Sequence, residues 1–253
     1  MNTQTNPRAV KAAIPAERFA HVGTWVFDLD NTLYPAGSDL WPKIDARITS
    51  FVSELFGLDG LSSRALQKYY YEKYGTTLRG LMAEHDVKAD EFLAYAHDID
   101  RSSVVPNVTL AEAITALPGR KLILTNGSRE HAIRTAEALG IDKLFEDVFD
   151  IVASNLVPKP HAEAYEAFFA RHGVDPARSA MFEDIARNLE VPHKRGMVTT
   201  LVIPKRGAGD HREAWEAASG PVPHLDFITD DLEGFLHSIV ETRSDEIRRD
   251  GGT

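Results

Sequence analysis

The run Phe27-Asp28-Leu29-Asp30-Asn31-Thr32-Leu33-Tyr34 decides how this chain reads. It follows Thr24-Trp25-Val26, a short apolar, β-prone stretch, and its two carboxylates stand two residues apart where that stretch turns polar. At a strand's period of two, Asp28 and Asp30 point the same way. Like charges repel, and each carboxylate is costly to bury without a cationic partner. A divalent cation is the natural compensator.

Composition bounds what surrounds that pair. The chain has 253 residues, enough for one sizeable α/β core or a core with a small second domain. It has no cysteine, which excludes disulfides, thiolate metal sites and cysteine nucleophiles. The net charge of −10 disfavours nucleic acid polymers and anionic membranes as partners through the overall field. An anionic substrate therefore needs a local positive potential. No apolar run approaches the ~20 residues of a membrane span, and residues 1–20 lack the apolar centre of a signal peptide. The expectation is a cytoplasmic protein, monomer or homodimer, acting on a small molecule.

Outward from the opening motif, the chain changes character twice. Residues 1–20 read as a loose arm interrupted by Pro7 and Pro15, and the first strand spans about His21 to Asp28. Asp39–Phe56 then carries Leu40, Ile44, Ile48, Phe51, Val52 and Leu55 at helical spacing, with Gly57 as its stop. Ser62–Tyr74, Thr77–His85 and Ala89–His97 read as further helices, and no convincing strand occurs between 35 and 103. Strand and helix alternate after that. Helices are expected at Leu110–Leu117, from the N-cap Ser128 to Leu139, and from Pro160 to about His172. Strands are expected at Lys121–Leu124, Val148–Val152, Ala180–Phe182, Thr199–Ile203 and Phe227–Thr229. This alternation implies α/β architecture: a Rossmann-like parallel sheet with helices on both faces. The expected core is 21–34 with 104–240, an all-helical insertion occupies 35–103, and 1–20 and 241–253 are flexible termini.

Ligands of open α/β sheets bind at the carboxyl ends of strands. Four polar clusters fall there in order: Asp28/Asp30, Thr125-Asn126, Lys159, and Glu183-Asp184. Taken singly, each has a bland reading. Asp-x-Asp suits a turn, Thr-Asn-Gly-Ser a helix cap, Pro-Lys-Pro a loop with a solvated lysine, and Glu-Asp a solvated pair. Jointly, over roughly residues 22–240, they resemble the four motifs of the haloacid dehalogenase-like (HAD) phosphohydrolases.

The resemblance implies an aspartyl-phosphate mechanism. Asp28 is then the nucleophile and Asp30 the general acid and base. Mg²⁺ is the implied cofactor, with Asp28, Asp30 (through its backbone carbonyl), Asp184 and Glu183 at the metal. Thr125 and Asn126 bind phosphoryl oxygens, and the helix opened by Ser128 adds N–H groups. Lys159, flanked by Pro158 and Pro160, neutralises both the carboxylate and the phosphoryl group. The insertion at 35–103 is placed as a helical C1 cap. Asp30 separates the phosphatases from the dehalogenases but leaves a sugar phosphomutase or a catalytically silent binding module as alternatives.

A finer resemblance, to the pyrimidine 5′-nucleotidase branch, rests on 28–34, on Tyr74-Gly75-x-Thr77-x-x-Gly80-Leu81 with His85, and on 125–140 with His131-Ala132. It implies UMP and CMP as substrates, with other small phosphomonoesters as the alternative. Thr77, Arg79 and His85 are the cap's candidate substrate contacts; Tyr70 and Tyr74 read instead as a packed helix face. Two departures stand in the fourth motif. Ile185 occupies a position where a serine often bonds the metal carboxylates, leaving Asn188 to replace it. Pro192 falls where a helix is expected and is tolerated only near its start.

Overall fold

The computed structural model describes residues 17–213, 215–216 and 222–250, with side chains from 18 to 243. In chain order the elements are α1 (Glu17–Ala20), β1 (Thr24–Phe27), α2 (Leu40–Phe56), α3 (Gly60–Tyr74), α4 (Thr77–His85), α5 (Ala89–His97), α6 (Val108–Ala116) and β2 (Arg120–Leu124). There follow α7 (Arg129–Leu139), β3 (Asp147–Phe149), α8 (Ala162–His172), β4 (Ser179–Glu183), α9 (Glu190–Lys194), β5 (Val198–Val202), β6 (Phe227–Thr229) and α10 (Leu232–Asp250).

The six strands form one sheet in the order β3-β2-β1-β4-β5-β6, and every pairing is parallel. Alternation along β1 divides the core. Trp25 and Phe27 face one apolar layer with α6, α7 and α10, and Val26 faces another with Tyr165, Phe168 and Phe169 of α8. Phe27 stacks on Phe182 of β4 at 4.8 Å and 10°. The chain order reverses direction around β1, so the crevice above β1 and β4 is the topological switch point of the sheet.

The expected helical insertion is present as α2 to α5. It has its own apolar cluster of Val52, Tyr70, Leu78, Leu81, Phe92 and Leu93, into which Ile151 of the loop after β3 inserts. Leu40 and Ile44, at the start of α2, belong to the main core instead. The insertion is thus docked on the sheet at both its α2 root and the β3 loop. Two glycines of the Tyr74–Leu81 signature do structural work here. Gly75 ends α3 in the left-handed region (φ 86°), its N–H donating to the Tyr71 carbonyl. Gly80 lies against the Tyr70 ring, where any Cβ would meet ring carbons at 2.5 Å.

Several expectations are corrected. The loose arm ends before residue 17: Glu17–Ala20 is helical and Phe19 is buried against Trp25 and Phe227; residues 1–16 lie outside the described residues. The 241–253 tail is helical to Asp250, continuing α10, and Arg243 donates to the carbonyls of Phe19 and Val22. The strand at Val148–Val152 is shorter, because Asp150 turns the chain by accepting from Ala153 N at 2.9 Å. α8 opens at Ala162 with His161 at its N-cap, not at Pro160. Pro192 is the third residue of α9, which continues directly from a 3-10 turn at Ala186–Leu189; the Asn188 carbonyl that its missing N–H would have faced accepts from Tyr165 Oη at 2.6 Å instead. No helix among the described residues is long and apolar enough to cross a membrane.

Candidate active site

β1 ends at Phe27, so strand periodicity does not align Asp28 with Asp30. A turn does: Leu33 N–H donates to the Leu29 carbonyl at 3.0 Å, Leu29 is buried, and Asn31 takes φ 57°. Both carboxylates line one cavity of about 140 Å³ between sheet and insertion. Thr125, Asn126, Lys159, Glu183 and Asp184 line it too.

Lys159 is 2% exposed. Its ammonium donates to Asp28 Oδ1 (2.6 Å), the Leu124 carbonyl (2.8 Å) and Glu183 Oε1 (2.9 Å). Burial opposes its charge, but Asp28 and then Glu183 outweigh that and raise its pKa. Asn126 grips the same loop reciprocally: its Nδ2 donates to the Lys159 carbonyl (3.1 Å) and its Oδ1 accepts from Lys159 N (2.8 Å). The side chain of Asn126 therefore places the lysine, a role its sequence position did not reveal. Thr125 Oγ1 accepts from Gly127 N at 2.9 Å. Arg129 N–H is taken by Asp150 and His131 N–H by Ser128, so the α7 terminus offers fewer donors to an anion than expected.

Asp28, Glu183 and Asp184 each place a carboxylate oxygen within 4.8 Å of the others. One lysine cannot balance them. Burial, then Lys159 pulling down and Glu183 and Asp30 pushing up, leave Asp28 at a pKa of about 7. Burial followed by Glu183 and Asp28 raises Asp184 well above the carboxylate range. An all-oxygen cluster with surplus negative charge fits a hard divalent cation such as Mg²⁺. Glu183 is held for that purpose by Asn188 Nδ2 (2.6 Å) and by Ile185 N (2.6 Å). Asn188 thus supplies the bond that Ile185's side chain cannot.

Asp30 is held apart from this cluster. Its Oδ1 accepts from Tyr34 Oη at 2.6 Å and bonds His131 Nε2 at 2.9 Å. Burial tends to raise Asp30, but His131 and then Tyr34 outweigh it, and the pKa falls to about 2. His131 and Tyr34 were not singled out for this role from sequence, since nothing local ties residue 131 to residue 30.

Of the cap candidates, Thr77 lines the cavity and donates to the Gln67 carbonyl at 3.1 Å. Arg79 and His85 do not line it. His85 lies on the exposed side, bonded to Tyr70 Oη at 2.6 Å and edge-on to Phe56 at 4.7 Å. Tyr70 and Tyr74 pack at 6.1 Å, as a helix face should. The cavity roof comes instead from Trp41, Ile44, Tyr71, Phe92 and Leu93, and His211 and Arg212 reach it from the segment after β5. That segment also meets the insertion: Lys68 pairs with Glu213 at 2.9 Å, and Tyr71 donates to Glu216.

A parallel sheet whose strand ends carry these residues under a helical insertion defines a hydrolase of the HAD class. The sequence profile of the haloacid dehalogenase-like hydrolases matches residues 22–191, and the chain belongs to that family. It is 26% identical over 201 residues to phosphate metabolism protein 8 of Saccharomyces cerevisiae, covering 73% of this chain and 60% of that protein. This chain therefore spans less than two thirds of that relative. Among solved structures, it resembles a HAD phosphatase from Thermococcus onnurineus (16% identity, 86% and 99% of the two chains, TM-score 0.54). It also resembles an L-2-haloacid dehalogenase from Xanthobacter autotrophicus (15%, 85% and 98%, TM-score 0.51). These two likenesses are of fold.

Proposed function

We propose that this enzyme is a Mg²⁺-dependent phosphomonoesterase that works through an aspartyl-phosphate on Asp28. One observation carries the reading: the cavity holds two carboxylates in different settings, Asp28 against Lys159 and Asp30 clamped by Tyr34 and His131. Phosphoryl transfer to a carboxylate needs that division, one group to attack and another to move the proton.

Asp28 attacks phosphorus and the bond to the leaving oxygen breaks. That oxygen takes a proton from Asp30. Water then attacks the acyl phosphate, Asp30 receives the water's proton, and the Asp28 carboxylate is released with inorganic phosphate. Asp30 rests ionised, so the first proton has to arrive: a phosphomonoester, with its second pKa near ~6, carries one in as the monoanion. Lys159 neutralises Asp28 and the incoming phosphoryl group without moving. Asp28, Asp184 and the Asp30 carbonyl, with Glu183 beside them, would hold Mg²⁺, which would shield the anions brought into contact.

Pyrimidine 5′-nucleotides are the proposed substrates, on the resemblance at 28–34, 74–81 and 125–140. Trp41, Tyr71 and Phe92 offer the cavity aromatic surface for a base. The polar roof is largely self-satisfied, since Gln67 and Lys68 both donate to Asp45. The leaving group is therefore read mainly by shape, which predicts a broad substrate range around the nucleotides. Phosphate release from a panel of phosphomonoesters that includes UMP and CMP tests this. No release from any member with Mg²⁺ present overturns the phosphatase reading. Release from sugar phosphates alone overturns the nucleotide assignment and keeps the rest.

A further inference from the structure

Residues outside the four motifs build the setting of Asp30. His131, the third residue of α7, is 1% exposed. Its Nε2 lies 2.9 Å from Asp30 Oδ1, and its Nδ1 lies 2.7 Å from Arg101 Nη2. A guanidinium only donates, so Nδ1 accepts and the ring proton sits on Nε2, aimed at Asp30. The ring cannot tilt freely. His97 stacks on one side at 4.4 Å and 11°. On Gly127 even a Cβ would approach His131 Cδ2 to 3.2 Å. Arg101 is itself tied to the Ile99 carbonyl (3.1 Å) and to Thr135 Oγ1 (3.2 Å).

The consequence falls on one oxygen. Tyr34 and His131 both engage Asp30 Oδ1, and among the described residues no hydrogen bond engages Oδ2. The carboxylate is restrained through Oδ1, and Oδ2, on a residue that lines the cavity, is left for proton transfer. Arg101 belongs to the segment that returns the chain from the insertion, and His97 is the last residue of α5. The orientation of the proton carrier is thereby linked to the seating of the cap's exit strand of chain.

We propose that His131 is a positioning residue for proton transfer by Asp30, and that Arg101 holds His131 in register. This rests on the reading of Asp30 as proton carrier. Its bland rival is a buried histidine that only satisfies its neighbours.

The two separate on leaving groups. A nucleoside or other alkyl alkoxide needs a proton to depart; p-nitrophenolate does not. With the full-length Mg²⁺-loaded protein, His131→Leu is expected to lower kcat on an alkyl phosphomonoester by about 10²-fold or more, with KM changed by less than about threefold. On p-nitrophenyl phosphate the first turnover keeps its rate within about threefold, while later turnovers slow because Asp30 also deprotonates water. A burst of p-nitrophenol appears that the parent lacks. His131→Gln, which retains an N–H donor, recovers most of the alkyl rate. Should His131→Leu not fold, Arg101→Leu carries the test, with the same split at about tenfold. Equal losses on both esters in the first turnover, a rise in KM alone, or no loss overturns the proposal. Asp30→Asn keeps the two readings distinguishable. If it leaves alkyl hydrolysis at the parental rate, the reading of Asp30 fails. If it shows the split and the His131 and Arg101 variants do not, only the positioning role fails.

Discussion

Lys159 Nζ lies 2.6 Å from Asp28 Oδ1, and 131 residues of chain separate the two. The same ammonium bonds Glu183, so one buried cation holds two carboxylates from β-strand ends on opposite sides of the insertion. Removing it strands both. Lys159→Met is expected to abolish phosphate release and to lower unfolding free energy by about 3–5 kcal/mol, the usual penalty for breaking a buried pair from one side. Urea unfolding measures it. A change under about 1 kcal/mol means the carboxylates find other partners.

Asn188 donates to Glu183 Oε1 at 2.6 Å. Asn188→Ala removes one of three bonds on the Glu183 carboxylate, leaving those from Lys159 and Ile185 N, and so loosens its aim at the metal without unfolding the chain. Apparent Mg²⁺ affinity, read from activity against Mg²⁺ concentration, should fall about 10–100-fold. An affinity unchanged within twofold removes Asn188 from the metal site.

His97 is half-buried and stacks on His131, and desolvation pushes its pKa from 6.5 to about 3. The unfolded chain protonates this ring below 6.5 and the folded chain does not until about 3. In that window the unfolded state binds more protons, so stability rises with pH and is lost on acidification. The ring keeps partial contact with the cavity, which softens the effect. In chelator, the parent should lose about 1–2 kcal/mol more than His97→Gln between pH 7 and pH 5. Parallel losses in the two proteins would contradict it.

Gly80 opposes two effects. Alanine favours helix over glycine by about 1 kcal/mol. A Cβ at position 80, however, meets Tyr70 Cδ1 at 2.5 Å and its Cβ at 2.7 Å, and Tyr70 is tied to Glu84 and His85. Overpacking wins, and Gly80→Ala should destabilise by about 1–3 kcal/mol. A stabilised variant would show that Tyr70 swings aside freely.

Much of this architecture was legible in the chain. The helices Thr77–His85 and Ala89–His97 and the strand Phe227–Thr229 fall where periodicity and stop residues put them. Local hydrogen bonding and apolar spacing set those elements, and both are written residue by residue. α10 and the burial of Phe19 were not legible, because each depends on the other end of the chain: Arg243 meets the carbonyls of Phe19 and Val22 across more than 220 residues. The cap signature was legible only in part: Thr77 lines the cavity, Gly75 and Gly80 serve a helix end and a ring contact, and Arg79 and His85 do not line the cavity.

Sequence alone determined the class of this protein: alternating strands and helices, a helical insertion, and acidic, amide and lysine residues at successive strand ends. A parallel sheet brings strand ends together whatever the side chains between them, so order was enough. Only the tertiary structure decided how the two opening carboxylates differ. Asp28 and Asp30 are near neighbours in sequence, but one meets Lys159 from the β3 loop and the other meets His131 from α7. A carboxylate's proton affinity depends on the groups within a few ångströms of it, and those groups arrive from across the chain.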